Sequence, residues 1–251
     1  LEEGEVHVHH ASGLSAAGKA DLGFSKPDVS AQFGPGAPGF SFIGPIDQPM
    51  GGGDARVSGD VAIGPDDGIA LGGLGITALG GAAAPGDQKL VGAGGSVEPF
   101  SFGGPADLAA GPEALPLDDG ELSVHYDGTD SHVNAAGTLH ALDMDFPMTA
   151  ELPEDGEYVF GGPPQDGVLN GLPASSVTAE LGASDGVQIG AVVPVPDVYD
   201  SGEVSGKWAG DDAFLLEGQG DSQWSEGVAF DSGLSITPDG NVMAVGVNTA
   251  D

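Results

Sequence analysis

No stretch of this chain carries apolar residues at i, i+3, i+4 and i+7 for three turns without a glycine or proline intervening. Inside a helix, glycine costs about 1 kcal/mol relative to alanine and proline about 3, so a helical body is excluded. Extended structure is what remains. The 46 glycines and 19 prolines among 251 residues would by themselves warn of low complexity. A 39% hydrophobic content, set in short β-branched runs, opposes that reading and is enough for a core.

Strand patterning is frequent. Val57, Val61 and Ile63 alternate with polar or small residues, as do Val177, Ala179 and Leu181, and Leu122, Val124 and Tyr126. Period-two alternation marks strands with one face buried and one in water, the habit of antiparallel sheets. Asp67-Gly68, Asp127-Gly128, Asp185-Gly186 and Asp239-Gly240 each lie between two such runs. Asp-Gly is a strong hairpin signal because both residues tolerate positive φ.

The chain also repeats itself. LEEGEVHVHH from Leu1 matches LDDGELSVHY from Leu117, and SAAGKADLGF from Ser15 matches NAAGTLHALD from Asn134. GFSFIGP from Gly39 matches EYVFGGP from Glu157, and VSGDVAIGPDDG from Val57 matches VTAELGASDG from Val177. Four matches in one order, offset by about 116 to 120 residues, predict a tandem duplication. A weaker half-period relates the segment from Pro99 to that from Gly39, and FDSGLSITPDGNVMAVGV from Phe230 restarts the opening motif. The expected architecture is all-β: two antiparallel β-sandwich or barrel units, residues 1–116 and 117–251, the second with a surplus hairpin over about 228–251. A propeller-like ring of four small sheets is the alternative. Phe40, Phe42, Phe100, Phe102, Tyr158 and Phe160 recur at one repeat position before Gly-Pro or Gly-Gly-Pro and are expected to anchor the core.

Charge narrows function. Against 39 acidic residues stand 5 Lys and Arg, a formal net charge of −34. Self-repulsion of this size strains a compact state at ordinary ionic strength. At about 1 M salt the screening length falls to about 3 Å and most of the strain disappears, so a high-salt setting is expected. Five cations cannot build a nucleic-acid face or grip an anionic membrane. Gly68–Gly86 is uncharged over 19 residues, but its glycines and Pro85 favour buried strands over direct membrane insertion. The absence of cysteine removes disulfides, thiolate catalysis and Cys-ligated zinc. The start at Leu1, without methionine, reads as a processed or trimmed terminus.

Candidate chemistry is sparse. On a strand His7 and His9 share a face and could chelate a metal, with His9 matched by His125 in the repeat. Asp66-Asp67 and Asp118-Asp119, like Glu2-Glu3 and Asp211-Asp212, sit beside glycine in loops of a kind that binds calcium, although no EF-hand or nonapeptide spacing is present. Tentative metal residues are therefore Asp66, Asp67, Asp118, Asp119, His7 and His9, holding calcium or other cations weakly; solvated loop charge and exposed strand histidines are the plainer reading. No nucleophile elbow, HExxH, P-loop or dinucleotide fingerprint occurs. Trp208 and Trp224 alone could floor a glycosidase cleft, which would need two carboxylates about 5–9 Å apart. A non-enzymatic structural subunit of an extracellular or virion-surface assembly (capsid or spike, surface layer, filament) is expected, with copies of itself or sibling subunits as partners. Its uncharged stretches Val29–Ile46 and Gly68–Gly86 are the expected contact surfaces. A secreted glycan- or metal-binding module is the alternative.

Overall fold

A computed structural model describes residues 2–9, 13–33, 41–50, 55–64, 68–83, 89–93, 96–154, 157–169, 171–195, 199–210, 213–225, 228–238 and 242–247. Every regular element among them is a β-strand. The first nine are β1 (Glu2–His9), β2 (Gly13–Lys19), β3 (Asp28–Phe33), β4 (Phe42–Met50), β5 (Ala55–Gly64), β6 (Gly68–Ala78), β7 (Gly81–Ala83), β8 (Lys89–Ala93) and β9 (Ser96–Val97). They form one sheet in the order β1-β2-β3-β4-β5-β6-β8-β9, with β7 beside β6.

The second sheet holds β10 (Phe100–Pro105), β11 (Leu108–Ala110), β12 (Leu115–Tyr126), β13 (Ser131–Ala141), β14 (Met144–Leu152), β15 (Val159–Gly161) and β16 (Gln165–Leu169). It continues through β17 (Leu172–Gly182), β18 (Gly186–Val195), β19 (Tyr199–Trp208), β20 (Phe214–Ser225), β21 (Val228–Ile236) and β22 (Val242–Val247). Its order is β10-β12-β13-β14-β15-β17-β18-β19-β20-β21-β22, with β11 beside β12 and β16 beside β17. Neighbouring strands whose register is described run antiparallel, as in β5–β6 and β17–β18. The all-β reading is correct.

The alternation seen in the sequence becomes the two faces of each strand. In β14, Phe146, Met148, Ala150 and Leu152 are buried while Asp145, Pro147, Thr149 and Glu151 are exposed. Burying one such large apolar side chain contributes roughly 1.5–3 kcal/mol. The uncharged stretch from Gly68 contributes to the core: it forms β6 and β7, and Ile69, Leu71, Leu74 and Ile76 are buried. No helix among the described residues is long and apolar enough to cross a membrane.

At the two Asp-Gly pairs that are described in full, the turns differ from the two-residue form that the pair favours. Asp185 closes a three-residue loop between Gly182 and Gly186, and Gly186 alone takes the left-handed conformation, φ 72°, the bulge-type hairpin. Asp127 instead organises its turn by side chain. Its Oδ1 accepts from the backbone N–H of Thr129 and of Asp130, both at 2.8 Å. A two-residue turn also lies where no glycine marks it, since Leu142 (φ 54°) and Asp143 (φ 57°) are the turn residues between β13 and β14. Asp67, Asp239 and Gly240 lie outside the described residues.

The chain divides into two compact units. One comprises Leu1–Leu108, Asp119–Ala135 and Glu151–Gly156; the other comprises Ala109–Asp118, Ala136–Ala150 and Glu157–Asp251. Residue 117, where the sequence match to Leu1 begins, lies inside β12. The aromatic anchors are in their cores. Phe100 meets Phe24 edge-on at 5.3 Å and Tyr126 at 5.5 Å in the first unit, while Tyr158 and Phe160 meet at 5.7 Å in the second. Phe42 and Phe102 are half-buried, and Phe40 lies outside the described residues.

The matched repeat segments fall on strands with corresponding places. β1, β2, β4 and β5 correspond to β12, β13, β15 and β17, within the runs β1-β2-β3-β4-β5-β6 and β12-β13-β14-β15-β17-β18. The hairpin of β21 and β22 occupies the C-terminal end of the second sheet, with Asp231 opposite Val247 and Ile236 opposite Val242.

Candidate functional site

The most organised polar cluster is built on β12, β13 and β14, where the sheet forces outward side chains of adjacent strands into rows. On β12 the alternation is interrupted: Asp118 and Asp119 are both exposed, and Asp119 has φ 51°. The following residue must be small, because a Cβ on Gly120 would collide with the carbonyl oxygen of Ala106. This irregularity leaves Asp118 facing outward beside β13.

His140 receives it. The imidazole Nε2 lies 2.9 Å from Asp118 Oδ2, and Nδ1 lies 2.5 Å from Asp145 Oδ1. All three residues belong to the second unit. Ionised carboxylates only accept hydrogen bonds, so two of them flanking one imidazole favour its doubly protonated form, which can donate to both. The hydrogen bond to Asp145, then that to Asp118, raise the His140 pKa above its ordinary value of 6.5. The side chains are 55%, 66% and 74% exposed for His140, Asp118 and Asp145, so water screens the cluster.

The same strand carries a simpler pair in the first unit. His132 Nδ1 lies 2.7 Å from Glu151 Oε1 on β14, and that bond raises the His132 pKa. Lys26 pairs with Asp21 at 3.0 Å, and Arg56 clamps Asp47 through two nitrogens. Every Asp and Glu whose side chain is described is exposed, and Ser25 is the one polar residue buried among the described residues.

Of the candidate metal residues, Asp118 is engaged by His140 and Asp119 stands beside it in a left-handed conformation. His7 and His9 lie on β1 opposite Ser15 and Gly13, with side chains outside the described residues. Asp66 and Asp67 lie outside the described residues altogether. Among the described residues no group of three or more His, Asp or Glu is placed to hold a metal ion. His125, matched to His9 in the repeat, is exposed on β12 opposite Ser101.

Sequence reasoning missed the His140 cluster. In the sequence Asp118 stands as a calcium candidate, but its partner His140 lies 22 positions away and is brought to it by strand pairing. The usable signal was local: His140 and Asp145 flank a turn, and a two-residue hairpin makes such positions cross-strand neighbours.

An open cleft of about 670 Å³ lies in the second unit, lined by Asp143, Asp145, Gln165, Asp166, Val168 and Phe214 among others. Gln165 Nε2 donates to the Asp145 carbonyl oxygen at 2.9 Å, tying β16 to β14 at its wall. The aromatic residue in it is Phe214 rather than Trp208, its in-register neighbour on β19. The side chain of Trp224 lies outside the described residues.

No protein-family model, curated protein or solved structure matches this chain.

Proposed function

We propose that this chain is a non-enzymatic structural subunit of an extracellular or virion-surface assembly that works in concentrated salt, and that its two sheets descend from one duplicated unit. The observation that carries the reading is the placement of charge. A chain of net charge −34 sets every described carboxylate on the outward face of a strand or in a loop, over a core of apolar side chains. Such a surface is stable where counter-ions are dense, since screening shortens from about 10 Å at 0.1 M salt to about 3 Å at 1 M. The duplication is supported by the order of the matched strands.

Two measurements test the reading. Denaturation midpoints taken from 0.1 to 3 M potassium chloride are expected to rise steeply, and flat midpoints would remove the high-salt half. Light scattering over the same range is expected to show mass growing with salt, whereas a monomer throughout would remove the assembly half.

A glycan- or metal-binding module is the second reading, favoured by the cleft of Asp143, Asp145, Gln165 and Asp166 beside Phe214. Hydrogen-bonding side chains next to an aromatic surface suit a sugar, and calorimetry against simple oligosaccharides and calcium separates this reading from the first.

A further inference from the structure

Along their main paths the two sheets have four end strands, and three of them carry features that discourage pairing with another chain. β1 contains Glu2, Glu3 and Glu5, β9 is two residues long, and β10 ends on Pro105. Charges, brevity and proline are the usual ways in which an edge is protected. The fourth, β22, has the sequence VMAVGV, with no charge and no proline over six residues. Among the described residues it is bonded on one side, to β21, in unbroken register from Asp231↔Val247 to Ile236↔Val242.

We propose that the edge of β22 facing away from β21 pairs antiparallel with β22 of a second copy, joining two sheets across a two-fold axis. This rests on the assembly reading above and names one of its contacts. The occupant follows from charge. Two molecules of −34 each repel over most of their surfaces, and an uncharged edge is where backbones can approach without opposing carboxylates. Pairing with β1 of a neighbour would instead bring Glu2, Glu3 and Glu5 to the junction. Self-pairing is isologous and closes at two subunits, which leaves other surfaces for larger assembly. A six-residue edge is a small contact, so the dimer should depend on concentration and strengthen as salt screens the repulsion.

The absence of native cysteine makes the test direct. Single cysteines are placed one at a time from Val242→Cys to Val247→Cys and oxidised at 0.1 and 2 M salt. Directly opposed residues of antiparallel strands lie about 4.5–5.5 Å apart at Cα, within disulfide reach. Cross-linked dimer is expected at one or two adjacent positions in high salt, falling at least tenfold in low salt and absent for an exposed control, Glu121→Cys. Met243→Lys combined with Val245→Lys is expected to halve the high-salt mass of the smallest oligomer while leaving the circular dichroism spectrum unchanged. If that variant does not fold, the cysteine series decides alone. Oligomers with no β22 cross-link, or with a cross-link only between Ala244→Cys and Glu5→Cys molecules, would overturn the self-pairing and leave the assembly reading standing. Monomers at every salt concentration would overturn both.

Discussion

Gly44 and Gly162 each stand just before a proline, and each is pressed against the strand before it. A Cβ on Gly44 would collide with the carbonyl oxygen of Asp28 on β3, and one on Gly162 with that of Pro147 on β14. The two sites are separated by 118 positions and their obstacles by 119, close to the repeat offset.

The first prediction tests that geometry with its own control. Gly162→Ala should destabilise the protein by about 1–3 kcal/mol, because the obstacle is backbone and cannot rotate away. Gly161→Ala, one residue earlier, meets nothing within 4 Å and should be neutral or stabilising by up to about 1 kcal/mol through the unfolded state. Urea midpoints in high salt distinguish the two, and equal effects would refute the close approach.

pH dependence follows from the histidine pairs. The folded pKa values of His140 and His132 are raised above 6.5, chiefly by hydrogen bonds to Asp145 and to Glu151 respectively. Their contribution is complete below the unfolded value near 6.5 and is lost as pH rises through the raised folded values. On the acid side Asp127 is lowered from 3.8 by backbone N–H donors of Asp130 and Thr129, so its contribution is lost as pH falls below that value. Stability should therefore be highest between about pH 4 and 6.5 and decline on the alkaline side. His140→Gln should flatten that alkaline decline, measured as melting temperature against pH. Asp118→Asn should lower the His140 titration midpoint seen by NMR without abolishing it, since Asp145 remains.

Tyr158 tests whether a core anchor also fixes a turn. Its phenolic oxygen accepts the backbone N–H of Gly111 at 2.9 Å, at a residue with φ 78° that leads into β12. Tyr158→Phe keeps the ring against Phe160 and should cost about 0.5–1.5 kcal/mol. Amide exchange at Gly111 should accelerate at least severalfold, and unchanged protection there would show that the turn holds without the phenol.

Much of the scaffold was legible because strand structure is written at short range. Alternation at Val177, Ala179 and Leu181 placed β17 and its buried face, and glycine beside aspartate placed Gly186 at positive φ. The turn at Leu142 and Asp143 was less legible, because aspartate tolerates the left-handed region but leucine does not favour it, and the pairing of the flanking strands holds Leu142 there.

The sequence alone determined the class: glycine and proline forbade helices, alternation dictated strands, and the excess of carboxylates required that charge face solvent. Tertiary structure decided which charges meet. His140 lies between Asp118 and Asp145 because three strands align in one register, and nothing in the chain specifies that alignment until the apolar faces of β12, β13 and β14 are buried together. Local propensity acts over a few residues, whereas a contact across 22 positions exists only once the sheet has formed.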